Sequence, residues 1–363
     1  RAQYKAEAKI FRAMVMFDMV RLWGDFPVIT TVADDITSEN IDEVYPQYFP
    51  KQNTELEAYQ QIEKDLLDAV LYAPDNTPGN KTLFSKSVAR TLLAKIYAEK
   101  PLRDYTKVIQ YCDEVKEDGF DLVDDFSDLF GMNAAGTDAK MRNTKESILE
   151  AQFTSGAGNW CTWMFGRDLV NWNNNFTWAK WVTPSRDLIS AFKQEGDEVR
   201  FKESIVYYDC NWSNYYPSDN YPFMYKCRSA NSSIIKYRYA DVLLLKAEAL
   251  IMQDTPDLEG AADIIDEVRD RAKLGALPTS VRSNKNVLLN ALLKERRLEL
   301  AFEGQRWFDL VRLDKVEEVM NAVYAKDSGR KAQIYTFDKN SYRLPIPQSV
   351  IDANDKIHQN PGY

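Results

Sequence analysis

The strongest constraint on this chain is a helix-pair pattern that occurs twice. SVARTLLAKIYAEKPLRDYTKVIQYCDEVKED, starting at Ser87, and YADVLLLKAEALIMQDTPDLEGAADIIDEVRDRA, starting at Tyr239, share helix length, link length and the placement of small residues. The first copy predicts helices over Ser87–Glu99 and Tyr105–Lys116, joined by Lys100–Arg103. Such a unit cannot bury its apolar face alone and must stack on neighbours, which restricts the chain to a mostly α scaffold. Nearby segments agree. Ala6, Ile10, Ala13, Met14, Phe17 and Val20 recur at three and four, predicting a helix that stops near Gly24 before Pro27; Tyr59, Ile62, Leu66, Ala69 and Val70 stripe the stretch Glu55 to Tyr72. Further helices are expected over Pro184–Phe192, Lys285–Phe302 and Gln305–Val319.

The paired helices resemble tetratricopeptide (TPR) units of about 34 residues, in which Ala or Gly at the crossing lets the helices approach. Helical stretches over 1–120 and 236–320 therefore read as one TPR-like scaffold within a single domain. Between them, over 151–233, the composition changes. Six of the eight tryptophans lie here: Trp160, Trp163, Trp172, Trp178, Trp181 and Trp212. From Ala151 to Trp181 the only charged residues are Arg167, Asp168 and Lys180, and Asn159, Asn171, Asn173, Asn174 and Asn175 interleave with the indoles. This is a poor recipe for regular helix. It suits a sugar site, because sugar rings offer apolar C–H faces that stack on flat aromatics and hydroxyls that need fixed amide partners. The expected ligand-binding set is Trp160, Trp163, Asn171, Trp172, Asn173, Trp178, Trp181, Trp212, Tyr215 and Tyr216, with Tyr207, Tyr208 and Tyr221 continuing the composition. The competing reading is that these rings pack a core under long loops.

Other chemistries find little support. Lys+Arg is 46 and Asp+Glu is 55, a net charge of −9 that repels phosphate backbones, so no nucleic acid is expected. His358 is the only histidine, which leaves no room for histidine-based triads or multi-histidine metal sites. Phosphate loops and dinucleotide fingerprints are absent, and no cofactor or metal is expected. Glycoside hydrolysis needs only two carboxylates, but Asp168, Asp187 and Asp209 in the aromatic stretch read as caps or surface charges. Cys112, Cys161, Cys210 and Cys227 show no CxxC spacing and leave any pairing open. In Lys294–Leu313 the pairs Arg296/Glu299, Glu303/Arg306 and Asp309/Arg312 stand at i,i+3 and read as structural salt bridges, with Trp307 and Phe308 in the core. The tail, 341–363, is rich in Pro and Asn and reads as an extended segment on the surface. No run reaches the roughly 18 apolar residues of a spanning helix. The chain opens without Met inside a helical pattern, so sequence upstream of it is expected.

Five ordered stretches resemble the SusD/RagB family of bacterial outer-membrane nutrient-binding proteins. They are Glu7–Thr30 (EAKIFRAMVMFDMVRLWGDFPVIT), Ala89–Tyr97, Arg238–Leu250, Lys294–Arg312 (KERRLELAFEGQRWFDLVR) and Leu344–Tyr363 (LPIPQSVIDANDKIHQNPGY). The resemblance implies a SusD-like fold in which TPR-like helical hairpins scaffold long irregular ligand-binding segments, with the shared motifs as scaffold. It also implies a non-enzymatic role: capturing oligosaccharide or polysaccharide at the cell surface and passing it to a SusC-like TonB-dependent transporter. Association with the outer membrane through an N-terminal lipid, carried on sequence missing from this chain, is implied by the resemblance alone. Peptide ligands, as in the RagB branch, are the alternative; a glycoside hydrolase or a TPR interaction scaffold ranks below. The loop Tyr45–Phe49 is expected to form a second wall of the site.

Overall fold

The computed structural model describes residues 1–154, 158–159, 183–210, 216–326 and 336–363. In chain order the longer helices are α1 (Ala2–Trp23), α2 (Glu55–Tyr72), α3 (Lys86–Ala98), α4 (Tyr105–Glu117), α5 (Arg186–Glu195), α6 (Glu198–Ser204), α7 (Tyr239–Met252), α8 (Leu258–Arg271), α9 (Lys285–Glu299), α10 (Arg306–Arg312) and α11 (Val316–Lys326). Four short strands pair in antiparallel twos, β1 (Ser147–Ala151) with β4 (Ile234–Arg238) and β2 (Ile205–Tyr208) with β3 (Tyr221–Met224). The architecture is mostly α, as the periodicity predicts. Contacts divide the chain into two compact units: Arg1–Ala73 with Lys95–Asp104 and Trp307–Tyr363, and Pro74–Ala94 with Tyr105–Arg306.

The first unit is built on α1 against α2. Ile10, Phe17 and Val20 of α1 and Tyr59, Ile62 and Leu66 of α2 are buried, and each such side chain contributes about 1.5–3 kcal/mol. Met16 joins the seam in place of the expected Met14, which is half-buried. Arg12 of α1 pairs with buried Asp65 of α2 at 2.7 Å. Gly24 ends α1 at φ 74°, a left-handed conformation open to glycine, and a Cβ there would stand 3.0 Å from the Glu55 carboxylate. At the start of α2, Thr54 and Glu57 form a capping box, and the Asp25 carboxylate accepts a further hydrogen bond from the Glu55 N–H. The single helix expected over Gln305–Val319 is instead two. Asp314 at φ 54° breaks it, and the Lys315 N–H turns back to the Leu310 carbonyl.

The tail contains a short helix, Gln348–Ala353, and its side chains clamp this unit. The Gln359 amide both accepts from the Ile346 N–H and donates to the Ile346 carbonyl, replacing a strand partner. Asn360 donates to the carbonyls of Trp23 and Leu344, so it also covers a free carbonyl at the end of α1. Asn354 donates to the Pro50 carbonyl, and Arg343 pairs with Glu55 at 2.7 Å. Gly362 lies at φ 96° with Asn340 only 2.7 Å from where a Cβ would stand. The regular spacing of amides in this tail is thus a set of clamps.

In the second unit α7 packs against α4, α8 and α9. It is apolar nearly all round, with Val242, Leu244, Ala247, Ala249 and Ile251 buried. That is the pattern of a central helix. Side chains of α5 (Leu188, Ile189, Phe192) join Ile205 and Leu298 in a separate apolar cluster.

Candidate functional site

The aromatic stretch 160–182 is bracketed by two anchored flanks, both in the second unit. On the upstream side Asn159 is buried. Its N–H donates to the Ala230 carbonyl at 2.6 Å, and its amide donates to the Ser232 carbonyl at 2.9 Å and to the Cys227 sulfur at 3.1 Å. On the downstream side the hydroxyls of Thr183 and Tyr221 are hydrogen-bonded at 2.9 Å, the Tyr216 O–H donates to the Pro184 carbonyl at 2.8 Å, and Ser185 caps α5 by accepting from the Leu188 N–H.

The β2–β3 hairpin supplies the downstream anchor. Its register pairs Tyr208 with Tyr221 and Val206 with Phe223. Tyr221 and Phe223 are buried, their rings 5.3 Å apart, with Tyr208 and Tyr216 packed against them. Tyr216 meets Tyr221 edge-on at 5.6 Å, and the Arg186 guanidinium lies 4.4 Å above the Tyr216 ring. Stacking of this kind fixes a ring that is otherwise half in water. Asp187 pairs with Arg297 at 2.7 Å, and Asp209 is exposed.

Of the expected ligand-binding residues, Tyr216 is described and belongs to this frame. Trp160, Trp163, Asn171, Trp172, Asn173, Trp178, Trp181, Trp212 and Tyr215 lie outside the described residues, as does Asp168. Cys112 and Cys227 are buried and Cys210 is half-buried, and Cys161 lies outside the described residues. The anchors Asn159, Thr183 and Arg186 carry no site expectation from sequence. Asn159 and Thr183 stand where the tryptophan-rich composition begins and ends, which is the signal that marks them. The segment Tyr45–Phe49, expected as a loop, belongs to the first unit, and Tyr45–Tyr48 in it is a short 3-10 helix. Tyr45 and Tyr48 are exposed, the Tyr45 and Phe49 rings are 5.0 Å apart, and the Tyr48 O–H donates to the Asp34 carbonyl. The same unit has an open groove of about 370 Å³, lined by Val28, Thr30, Asn53, Glu57, Gln60, Gln61 and Lys64.

Comparison with known proteins places these features. The model of the SusD family matches residues 219–363, and a second model, described as starch-binding and associating with the outer membrane, matches residues 1–98. The chain belongs to the SusD-like family. A SusD-like protein, P2, from Formosa agariphila is 29% identical over 99% of this chain and 74% of its own length. Among solved structures, a SusD superfamily protein from Parabacteroides distasonis superposes with a TM-score of 0.78 at 23% identity, covering 99% of this chain and 79% of the other. A laminarin-binding SusD-like protein superposes with a TM-score of 0.71 at 24% identity, covering 100% and 79%.

In this SusD-like chain the Lys294–Arg312 motif anchors a buried charge cluster in the same unit as the frame. Glu299 meets Arg238 and Arg271, each at 2.5 Å, and Arg200 at 3.0 Å. Arg200 also pairs with Glu295 at 2.6 Å and Asp197 at 2.5 Å, while Glu146 meets Arg238 at 2.7 Å and Arg271 at 2.8 Å. Burial alone would raise the Glu299 carboxyl, but Arg271, Arg238, Arg200 and Lys226 outweigh it and hold the group well below the usual carboxylate range. The i,i+3 expectation needs correction here. Arg296 pairs with Asp241 of α7, Glu303 with Arg238 and Lys226, and the Arg306 guanidinium donates to the Leu293 carbonyl; Asp309–Arg312 does form, at 2.7 Å. The motif therefore ties together segments far apart in sequence rather than decorating a helix surface. Phe302 at φ 66° and Gly304 at φ 74° make the turn after α9. Trp307 is half-buried against Phe337, and Phe308 lies beneath the Arg21 guanidinium.

Proposed function

We propose that this chain is a non-catalytic glycan-binding protein associated with the outer membrane. It captures an oligosaccharide or polysaccharide through Trp160, Trp163, Trp172, Trp178, Trp181 and Trp212 as stacking platforms, with Asn171, Asn173, Tyr215 and Tyr216 as hydroxyl partners. It then passes the ligand to a SusC-like TonB-dependent transporter. The observation that carries this reading is a neutral, tryptophan- and asparagine-rich stretch held at both ends by fixed hydrogen bonds at Asn159, Thr183 and Pro184. Fixed flanks lower the ordering cost of a binding loop, and a nearly uncharged segment suits a neutral sugar. Laminarin binding by a relative of the same fold, and a family model described as starch-binding, point the same way. Asp187, a carboxylate beside the stretch, is committed to Arg297. That favours binding over hydrolysis, which needs two available carboxyl groups.

Isothermal titration against a panel of neutral polysaccharides and oligopeptides, with reducing-sugar release followed in parallel, tests the reading. Saturable binding of at least one glycan without sugar release is expected. Binding of peptides alone, or release of reducing sugar, would overturn it.

A further inference from the structure

The upstream flank of the tryptophan-rich stretch is held by more than Asn159. Ala151 at the end of β1 pairs with Ile234 at the start of β4, and the ladder stops there. Beyond the end of a ladder, main-chain carbonyls need other donors. Arg142 supplies one for each chain. Its Nη2 donates to the Phe153 carbonyl, on the chain leaving β1, and to the Asn231 carbonyl, on the chain entering β4, each at 2.8 Å. The Asp138 carboxylate accepts from the same nitrogen at 2.7 Å.

The next residue sets the position of Arg142. Asn143 turns the chain at φ 54°, its N–H donates to the Glu150 carboxylate at 3.0 Å, and its side-chain oxygen accepts from the Gln152 amide at 2.7 Å. Arg142 is thereby fixed beside the end of β1. The loop that leads up to it is tied to the same segment, because the Asn231 amide donates to the Thr137 carbonyl at 2.9 Å.

Three successive carbonyls are then shared by two residues. Ala230 and Ser232 accept from Asn159, and Asn231 between them accepts from Arg142. Gly158 lies so close to this segment that a Cβ there would stand 3.2 Å from the Ala230 Cβ. A shift of 230–232 would therefore carry Asn159 with it. The restraint on that shift is a charge-assisted hydrogen bond, which is stronger than one from a neutral amide.

We infer that Arg142 is a positioning residue for the glycan site. It acts through Asn159: by tying Phe153 to Asn231 it fixes the upstream end of the stretch before ligand arrives, and so lowers the ordering cost of binding. The consequence rests on the glycan-binding reading; the anchoring itself does not.

Amide exchange followed by mass spectrometry, on the full chain without ligand, reads the anchoring. Isothermal titration with neutral polysaccharides, laminarin and soluble starch among them, reads the consequence. In Arg142→Ala, exchange at Asn159 and over 229–233 should quicken about tenfold or more. Glycan affinity should fall about tenfold through a less favourable entropy, with enthalpy little changed. The control is Arg90→Ala, at a guanidinium of similar exposure (22% against 24%) that ties α3 to α4 through Glu114. It should leave exchange over 229–233, affinity and binding entropy at parent values. Adding Arg142→Ala to Asn159→Ala should weaken binding little beyond Asn159→Ala alone, since both act on the same contacts. Should Arg142→Ala fail to fold, Arg142→Gln, which keeps the stem and removes the guanidinium, takes its place with the same expectations. Unchanged exchange over 229–233 in the Arg142 variant, or quickened exchange with unchanged glycan affinity, would overturn the inference. A parent chain that binds no polysaccharide, with the exchange result as expected, would instead sink the glycan reading and the positioning role with it.

Discussion

Replacing Glu299 by Gln keeps the side-chain shape of α9 and removes one negative charge from a place where three arginines converge. Arg238 and Arg271 stand 2.5 Å from the carboxylate and Arg200 3.0 Å, and all four side chains are buried. Removing one partner of a buried ion pair costs about 3–5 kcal/mol, because the remaining charges stay desolvated and uncompensated. An exposed i,i+3 or i,i+4 helix pair contributes only about 0.3–0.5 kcal/mol, and Lys315–Glu318 is such a pair here. Chemical denaturation followed by far-ultraviolet circular dichroism, with Glu299→Gln and Glu318→Gln side by side, separates the two situations. The expected result is a loss of about 3–5 kcal/mol for the first and under about 0.5 kcal/mol for the second. The pH dependence gives a second reading. The folded carboxyl lies below its unfolded value, so the unfolded chain binds the extra proton, and the contribution is complete above the unfolded pKa and lost as pH falls towards the folded one. Glu299→Gln should therefore narrow its deficit relative to the parent chain in acid. A loss within about 1 kcal/mol of the Glu318→Gln value, well short of the buried-pair range, with no pH dependence in the difference, would refute the buried-cluster account.

Three other outcomes are expected from the same contacts. Burial pushes the Lys226 ammonium down to about 8, against the pull of Glu303; the unfolded chain then binds more protons between about 8 and the ordinary lysine value, so this component of stability rises with pH there, and Lys226→Met should abolish that rise in denaturant midpoints. Asn360→Ala removes both donors that hold the Trp23 and Leu344 carbonyls, so amide exchange over 344–363 should quicken by an amount corresponding to about 1–3 kcal/mol, and unchanged exchange would contradict the clamp. Tyr216→Phe deletes the O–H bond to Pro184 while keeping the ring under Arg186; a stability loss of about 1 kcal/mol and a severalfold weaker glycan titration are expected.

The scaffold is readable in the sequence because it is local. The α2 boundaries, Glu55 and Tyr72, and the end of α1 at Gly24 are given by apolar spacing and a glycine stop, both signals within a few residues. The charged motif differs in detail from its sequence reading for the opposite reason. Sequence spacing displays only i,i+3 neighbours, whereas Glu299 takes its partners from Arg200, Arg238 and Arg271, which only the folded chain brings together. The break at Asp314 has no glycine or proline to announce it, and a non-glycine residue in the left-handed region leaves no pattern of its own. The tail spacing is visible as a regularity, but its reason is a set of side-chain amides bonded to main-chain carbonyls elsewhere in the first unit. For the candidate site, composition marks the region, and the anchors Asn159, Thr183 and Tyr216 show how its flanks are held. The roles of the individual indoles remain those proposed from composition.

The central claim is that sugar rings stack on the indoles between Asn159 and Thr183. The most direct measurement is isothermal titration of the bound polysaccharide into Trp172→Ala, Trp178→Ala and the double variant, with circular dichroism confirming an unchanged fold. Each platform should contribute about 0.5–1.5 kcal/mol beyond contact area, so a severalfold to tenfold loss is predicted for each single variant and up to about a hundredfold for the double. Affinity unchanged in the double variant, with the fold intact, would contradict the account.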